Sequence, residues 1–244
     1  MADSNSGGST RRLSNLNMVW RIAARYPARI VGAGLALMTA AILLSIEAPY
    51  VAIDQALGGI NLANLLLRFI IFAAIYFIGI RVTRGFGAEG AYRLITGKAG
   101  MVVLAVISLV MMAVFFMMDT TGSSAGLSAL SERSRYNAIL AQYYGAAGRA
   151  YPAYVGLVLL PAMVRAVRSR LPVLVRVAAG LLALGGVAIG LSLLFPLVPP
   201  EWVAIMFVVN YTAVLCYLLG LALIWAARVR SGKPLSTKRT YTEK

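Results

Sequence analysis

The chain has 244 residues, 60% of them hydrophobic and 13% charged, with a mean hydropathy of +0.81. Soluble domains are about 45–50% apolar, so this composition excludes an ordinary cytosolic enzyme and a disordered tail, and apolar runs of helix length exclude the alternating strands of an outer-membrane barrel. There are 23 Lys and Arg against 8 Asp and Glu, no His, and one cysteine, Cys216, which removes the commonest general base and metal ligand and leaves no intramolecular disulfide or thiolate cluster.

In chain order, residues 1–10 are polar and rich in Ser and Gly, too poor in apolar groups to offset the entropy of ordering. Leu13, Leu16, Trp20 and Ala23 then recur at helical spacing up to Pro27, the pattern either of a short interfacial helix or of a solvated juxtamembrane linker. Residues 1–29 thus form a cytoplasmic tail. Its length, and an apolar run behind it long enough to span, favour a retained first helix over a secretory signal.

A helix needs about 20 mainly apolar residues to cross the hydrocarbon layer, and six segments qualify: 30–51, 62–82, 101–118, 151–167, 172–195 and 202–227. The fourth is short and contains Pro161, which a spanning helix tolerates where neighbours satisfy the freed carbonyl. The connection 119–149 is the long one. It opens with a flexible stretch at 120–126, after which Tyr136, Ile139, Leu140, Tyr143 and Tyr144 form an apolar and aromatic stripe. That periodicity predicts a helix, which would lie on the outer surface, extend the fourth span outward or fold over the bundle as a lid. Residues 228–244 form a basic cytoplasmic tail.

The cations divide 19 to 3 between the two sets of connections, with Arg68 inside the second span. By the positive-inside rule both termini are cytoplasmic. The expected fold is therefore all-α, a polytopic six-helix bundle over 30–227 in a bacterial plasma membrane, the bacterial source being suggested by 19 Arg against 4 Lys with abundant Ala and Gly. The same asymmetry accounts for the basic balance without nucleic acid, because each basic segment is juxtamembrane.

Arg68 lies about six residues into the second span, where a charge costs several kcal/mol unless it snorkels or is paired. Glu47 in the outer part of the first span is the expected partner, across a loop of about ten residues, with Asp54 and Asp119 as competitors. The pair reads either as an anion or proton site opening outward, or as a structural bridge with snorkelling. Asn210, Tyr211 and Thr212 in the sixth span are expected to face the bundle and, with Glu47 and Arg68, to complete an intramembrane polar site.

Gly85, Gly87 and Gly90 spell a GxGxxG that follows a transmembrane helix instead of a strand, and so read as a turn. Gly186 and Gly190 form a GxxxG for helix packing, within the chain or between two copies. Met111, Met112, Phe115, Phe116, Met117 and Met118 read as packing. Trp202, Tyr151 and Tyr154 outside, with Trp20, Tyr92 and Trp225 inside, fit interfacial belts. No residue is assigned a catalytic, cofactor or metal role, and the partners implied are the bilayer and either a protein partner or a second copy of the chain.

The run Arg25, Tyr26, Pro27 into an apolar helix, then Pro49, Tyr50, Ile53, Asp54, Gly58, Gly59, Asn61, Leu62 and Ala63 before another, resembles the N-terminal membrane module of actinobacterial multi-pass proteins described as transporters. The basic turn from Arg165 to Arg176 and the small-residue fifth span are similar to it too. The resemblance implies an integral membrane location and gives Pro49, Tyr50, Asp54 and Asn61 no role; members carry one more helix at the front and a soluble C-terminal domain, a departure from the pattern here. The function expected is a non-enzymatic sensor or partner-binding subunit. The alternatives are a small-solute or ion transporter using Arg68, and a lipid-acting enzyme resting on Glu47, Asp119 or Tyr side chains.

Overall fold

The computed structural model of the chain describes residues 36–37, 39–122 and 134–231. The tail with its interfacial helix or linker at 13–26, the start of the first span, most of the stretch 120–126 and the tail beyond 231 lie outside these residues. Every regular element among the described residues is helical.

Residues 39–43 are helical, turn at 44–46, and restart as α1, Glu47–Ala56. A span running unbroken from 30 to 51 is thus corrected to two helical pieces. The cause is Pro49: it lacks an N–H and its ring would clash with the carbonyl four residues back, so it is tolerated in the first turn of a new helix and not inside an old one. Ile46 is extended there, with φ −90° and ψ 133°.

Five helices are long and apolar enough to cross a membrane. They are α2 (Leu62–Gly85), α4 (Lys98–Met117), α5 (Arg135–Val167), α6 (Val173–Leu191, continued by a 3-10 turn at Ser192–Leu197) and α7 (Val203–Ser231); α3, Glu89–Thr96, is a short helix linking α2 to α4. Each follows a sequence run with no β-strand periodicity and few charges. Six spans were expected, and the described residues hold these five.

The central helix is α5, 50% of whose most apolar stretch is buried against 17% for α4 and α7. Its inward face reads Asn137, Leu140, Tyr144, Gly148, Tyr151, Val155, Leu159, Met163, steps of three and four that keep one side of a 3.6-residue helix turned inward. Of the stripe expected between 119 and 149, Leu140 and Tyr144 are buried while Tyr136, Ile139 and Tyr143 are exposed. This stripe belongs to α5 itself, so the part of the connection from Arg135 on and the fourth span share one helix of 33 residues, about 50 Å at a rise of about 1.5 Å per residue.

Contacts along α2 and α5 pair Asn64 with Tyr144, Arg68 with Gly148, Phe72 with Tyr151 and Gly79 with Val155. The two helices therefore run parallel and in direct contact, with α4 running the opposite way against α5. Met111 and Phe115 of α4 and Met118 just past it face the core, whereas Phe116 and Met117 are exposed. On the other flank, backbones approach closely through small residues. A Cβ on Gly156 would lie 3.1 Å from Gly186 Cα, one on Gly185 3.2 Å from the Ala213 carbonyl, and one on Gly220 3.2 Å from the Ala178 carbonyl. In lipid, where no hydrophobic force drives helices together, such close van der Waals packing holds them.

Candidate functional site

The Asn61 end of the bundle is closed by a hydrogen-bonded cluster. Gly58 and Gly59 have φ of +105° and +67° and turn the chain from α1 toward α2, and Asn61 follows at φ +58°. In that left-handed conformation its side chain does not cap its own helix. The fully buried Asp54 does so: Oδ2 accepts from the Asn61 N–H and Oδ1 from the Ala63 N–H, each at 3.0 Å. Carboxylates are favoured at a helix N-terminus, where unpaired amides and the dipole meet.

The Asn61 side chain is thereby free to bridge other elements. It accepts from the Tyr50 hydroxyl at 2.8 Å, and its Nδ2 donates to the carbonyls of Thr120 at 3.0 Å and Gly122 at 2.7 Å. One turn further along α2, Asn64 accepts from the Tyr144 hydroxyl at 3.1 Å. Asn137 of α5 exchanges two bonds with the Asp119 backbone, at 3.1 and 3.2 Å. Tyr50, Asp54 and Asn61, matched above only as a pattern, thus form one cluster fastening α1, α2 and the chain after α4.

Beneath this cap lies Arg68. Its guanidinium sits 5.7 Å from the centroid of the Tyr144 ring, and its Cδ and Nε pack on Gly148, where a Cβ would come within 3.0 Å of both. The next residue, Arg149, follows directly on the glycine against which Arg68 packs and places its guanidinium 5.0 Å from the centroid of Phe195, in the turn after α6.

The Nε atoms of both arginines are buried without a hydrogen-bond partner. The ion pair among the described residues is Arg93 with Glu89 on exposed α3, so neither guanidinium faces a carboxylate there.

The two arginines share one level. Arg68 lies about 25 Å of helix from Gly85 and Arg149 about 27 Å from Val167, at about 1.5 Å per residue. For a hydrocarbon layer about 30 Å thick, that level is its edge on the Asn61 side.

Below them, Phe72, Met111, Phe115, Val155, Leu159 and Met163 belong to one packed cluster, in which the Tyr151 hydroxyl is buried without a partner. Tyr151 thus sits in the core against Phe72, and Tyr154 donates to the Leu94 carbonyl at 2.6 Å, near the opposite end. Both were expected in an outer belt; the early start of α5 moves them inward.

The remaining expected site residues do not converge on Arg68. Glu47 is exposed at the start of α1 and makes no ion pair with Arg68. Asn210 and Tyr211 are exposed on α7, where Tyr211 stacks on Phe207, and Thr212 is half-buried. The reason is rotational: Ala213, Cys216 and Gly220 are buried on α7, and the close approach of Gly220 to Leu182 fixes that face inward. Gly186 packs on Gly156, while a Cβ on Gly190 would meet only Leu157, at 3.7 Å.

At the other end Gly87, with φ +61°, makes the turn between α2 and α3. There Arg84 donates to the Tyr92 hydroxyl at 3.3 Å, a bond that holds the phenol below its ordinary range.

Sequence reasoning found Arg68 and missed Arg149. A hydropathy window stops at such a charge, and so the fourth span was begun at 151; the signal that reached past it was the stripe itself, since Tyr144, Gly148, Tyr151 and Val155 continue its spacing. Comparison with known proteins finds no matching family model, no matching curated protein and no matching solved structure. The five apolar helices make this a membrane protein by length and composition.

Proposed function

We propose that the protein is a non-enzymatic, polytopic module of a bacterial plasma membrane that senses an anion at the Arg68–Arg149 site, with both termini in the cytoplasm and the site on the outer side. The observation that carries this reading is the arginine pair. Two guanidiniums held at one level, with buried unpartnered Nε atoms and no ion pair to a carboxylate among the described residues, repel one another and are costly at this depth until a negative group joins them. The arginine-rich composition and the resemblance of the Tyr50, Asp54 and Asn61 pattern support the bacterial setting. The cation asymmetry supports the orientation.

Sensing is favoured over transport by what lies beneath. A carrier needs a polar route onward from its site, and here the stripe of Asn61, Asn64 and Arg68 gives way to aromatic and aliphatic packing. A sensor passes occupancy to a partner, and Asn210 and Tyr211 on the exposed face of α7 would give a second membrane helix a polar contact.

The test is thermal stability of the purified protein as oxyanion salts replace chloride at constant ionic strength. The reading expects a rise in Tm that vanishes in the double variant Arg68→Gln with Arg149→Gln. An identical response of both proteins would overturn it.

A further inference from the structure

The chemistry and depth of the arginine site narrow its ligand. A guanidinium offers five N–H donors in a planar fork that matches an anion with several oxygens, whereas a halide has no directional acceptors to fill two forks. A carboxylate's two coplanar oxygens are filled by one fork, whereas the oxygens around a tetrahedral phosphorus can be shared between two. The pair lies at the edge of the hydrocarbon layer, about 25–27 Å of helix from Gly85 and Val167, next to the phosphodiesters of lipid headgroups.

The walls around it are amphipathic in the same sense. The Tyr144 and Phe195 rings flank the guanidiniums. Leu194, Leu197 and Trp202, in the turns on either side of Phe195 and before α7, are exposed apolar surface where acyl chains would lie. Gly148 supplies the room: any side chain there would displace Arg68.

We infer that the Arg68–Arg149 site binds a phosphate-class oxyanion at headgroup level, supplied either by an anionic lipid or as free phosphate. This rests on the anion-sensing reading and makes it specific. Arg68 and Arg149 are the binding residues, and Gly148 is a positioning residue that keeps the Arg68 guanidinium at the level of Arg149.

The experiment uses the full chain in one detergent after delipidation. One arm adds sodium phosphate, sodium acetate or sodium chloride at matched ionic strength. The other adds short-chain phosphatidylglycerol or the corresponding diacylglycerol, which lacks the phosphate. Saturating phosphate or phosphatidylglycerol should raise Tm by about 3 °C or more over its control, as for any ligand that binds only the folded state.

Arg149→Gln should abolish that rise without lowering Tm in the absence of anion, because it removes one of two repelling charges; a merely structural arginine would lower it. Gly148→Ala should weaken apparent affinity about tenfold, with Arg149 still in place. A response in the lipid arm alone identifies a lipid headgroup, a response in the phosphate arm alone a free anion, and either upholds the phosphate class. Equal stabilisation by acetate or chloride overturns that class while leaving an anion site standing. No response to any of them overturns both.

Discussion

Replacing Asn61 should show how much of the fold depends on the cap over the arginines. Asn61→Gly keeps the backbone at φ +58° but deletes one accepted and two donated side-chain bonds, to Tyr50, Thr120 and Gly122. At about 1 kcal/mol for each buried bond the loss is about 3 kcal/mol. Asn61→Ala removes the same bonds and, unlike the glycine variant, keeps a Cβ in the left-handed region, where it costs about 1 kcal/mol more than glycine. For a chain of this size 1 kcal/mol moves Tm by about 2–4 °C, so the glycine variant should melt about 6–12 °C below the parent and the alanine variant lower still.

Asn61→Asp should be the worst of the three. It keeps an acceptor for Tyr50 but turns its second oxygen toward two carbonyls and sets a second carboxylate beside Asp54, which accepts from this residue's own N–H. The assay is a melting curve of the four proteins in one detergent. An alanine variant at least as stable as the glycine variant would refute the left-handed assignment, and a glycine variant within about 0.5 kcal/mol of the parent would refute the claim that this side chain fastens the two connections.

Glu47→Gln should leave Tm within the range of about 0.5 kcal/mol usual for an exposed position; a loss of several degrees would restore Glu47 as a partner of an intramembrane cation. Gly156→Ala should destabilise, because its Cβ would lie 2.8 Å from the Tyr217 hydroxyl and 3.1 Å from Gly186 Cα, whereas Gly190→Ala should be near neutral with Leu157 at 3.7 Å. Equal effects in those two melting curves would contradict the assignment of the close crossing to Gly186. Alkaline phosphatase, active only outside the cytoplasm, should be active when fused after Gly126 and inactive when fused after Gly232; activity at the second position would reverse the proposed orientation.

The helices that cross were largely legible because hydropathy and helix formation coincide there. Leu62 opens both the expected second span and α2, and the expected 172–195 and 202–227 differ from α6 with its 3-10 turn and from α7 by a few residues at each end. The break before Pro49 was equally available, since proline's missing N–H is a local fact, but an average over 20 residues conceals one residue. Arg149 was hidden for the converse reason, its charge ending a window although the helical stripe ran on.

The cap was legible as residues and not as a site. Asn61 meets Thr120 and Gly122 across 59 and 61 positions of sequence, a contact that only the packed bundle creates. The outward turn of Asn210 and Tyr211 is a matter of rotation about an axis. Polarity alone turned them inward in the sequence reading, whereas the small residues Ala213 and Gly220 on the opposite side decide the packing.

The most direct measurement is a density map of the protein in nanodiscs containing phosphatidylglycerol, resolved well enough to place the side chains of Arg68, Tyr144, Arg149 and Phe195. The account predicts a tetrahedral feature between the two guanidiniums, at about 3 Å from nitrogens of each, on the side of the membrane that carries Asn61. A carboxylate of the protein paired with either arginine, or the two guanidiniums turned apart with acyl-chain density between them, would contradict it.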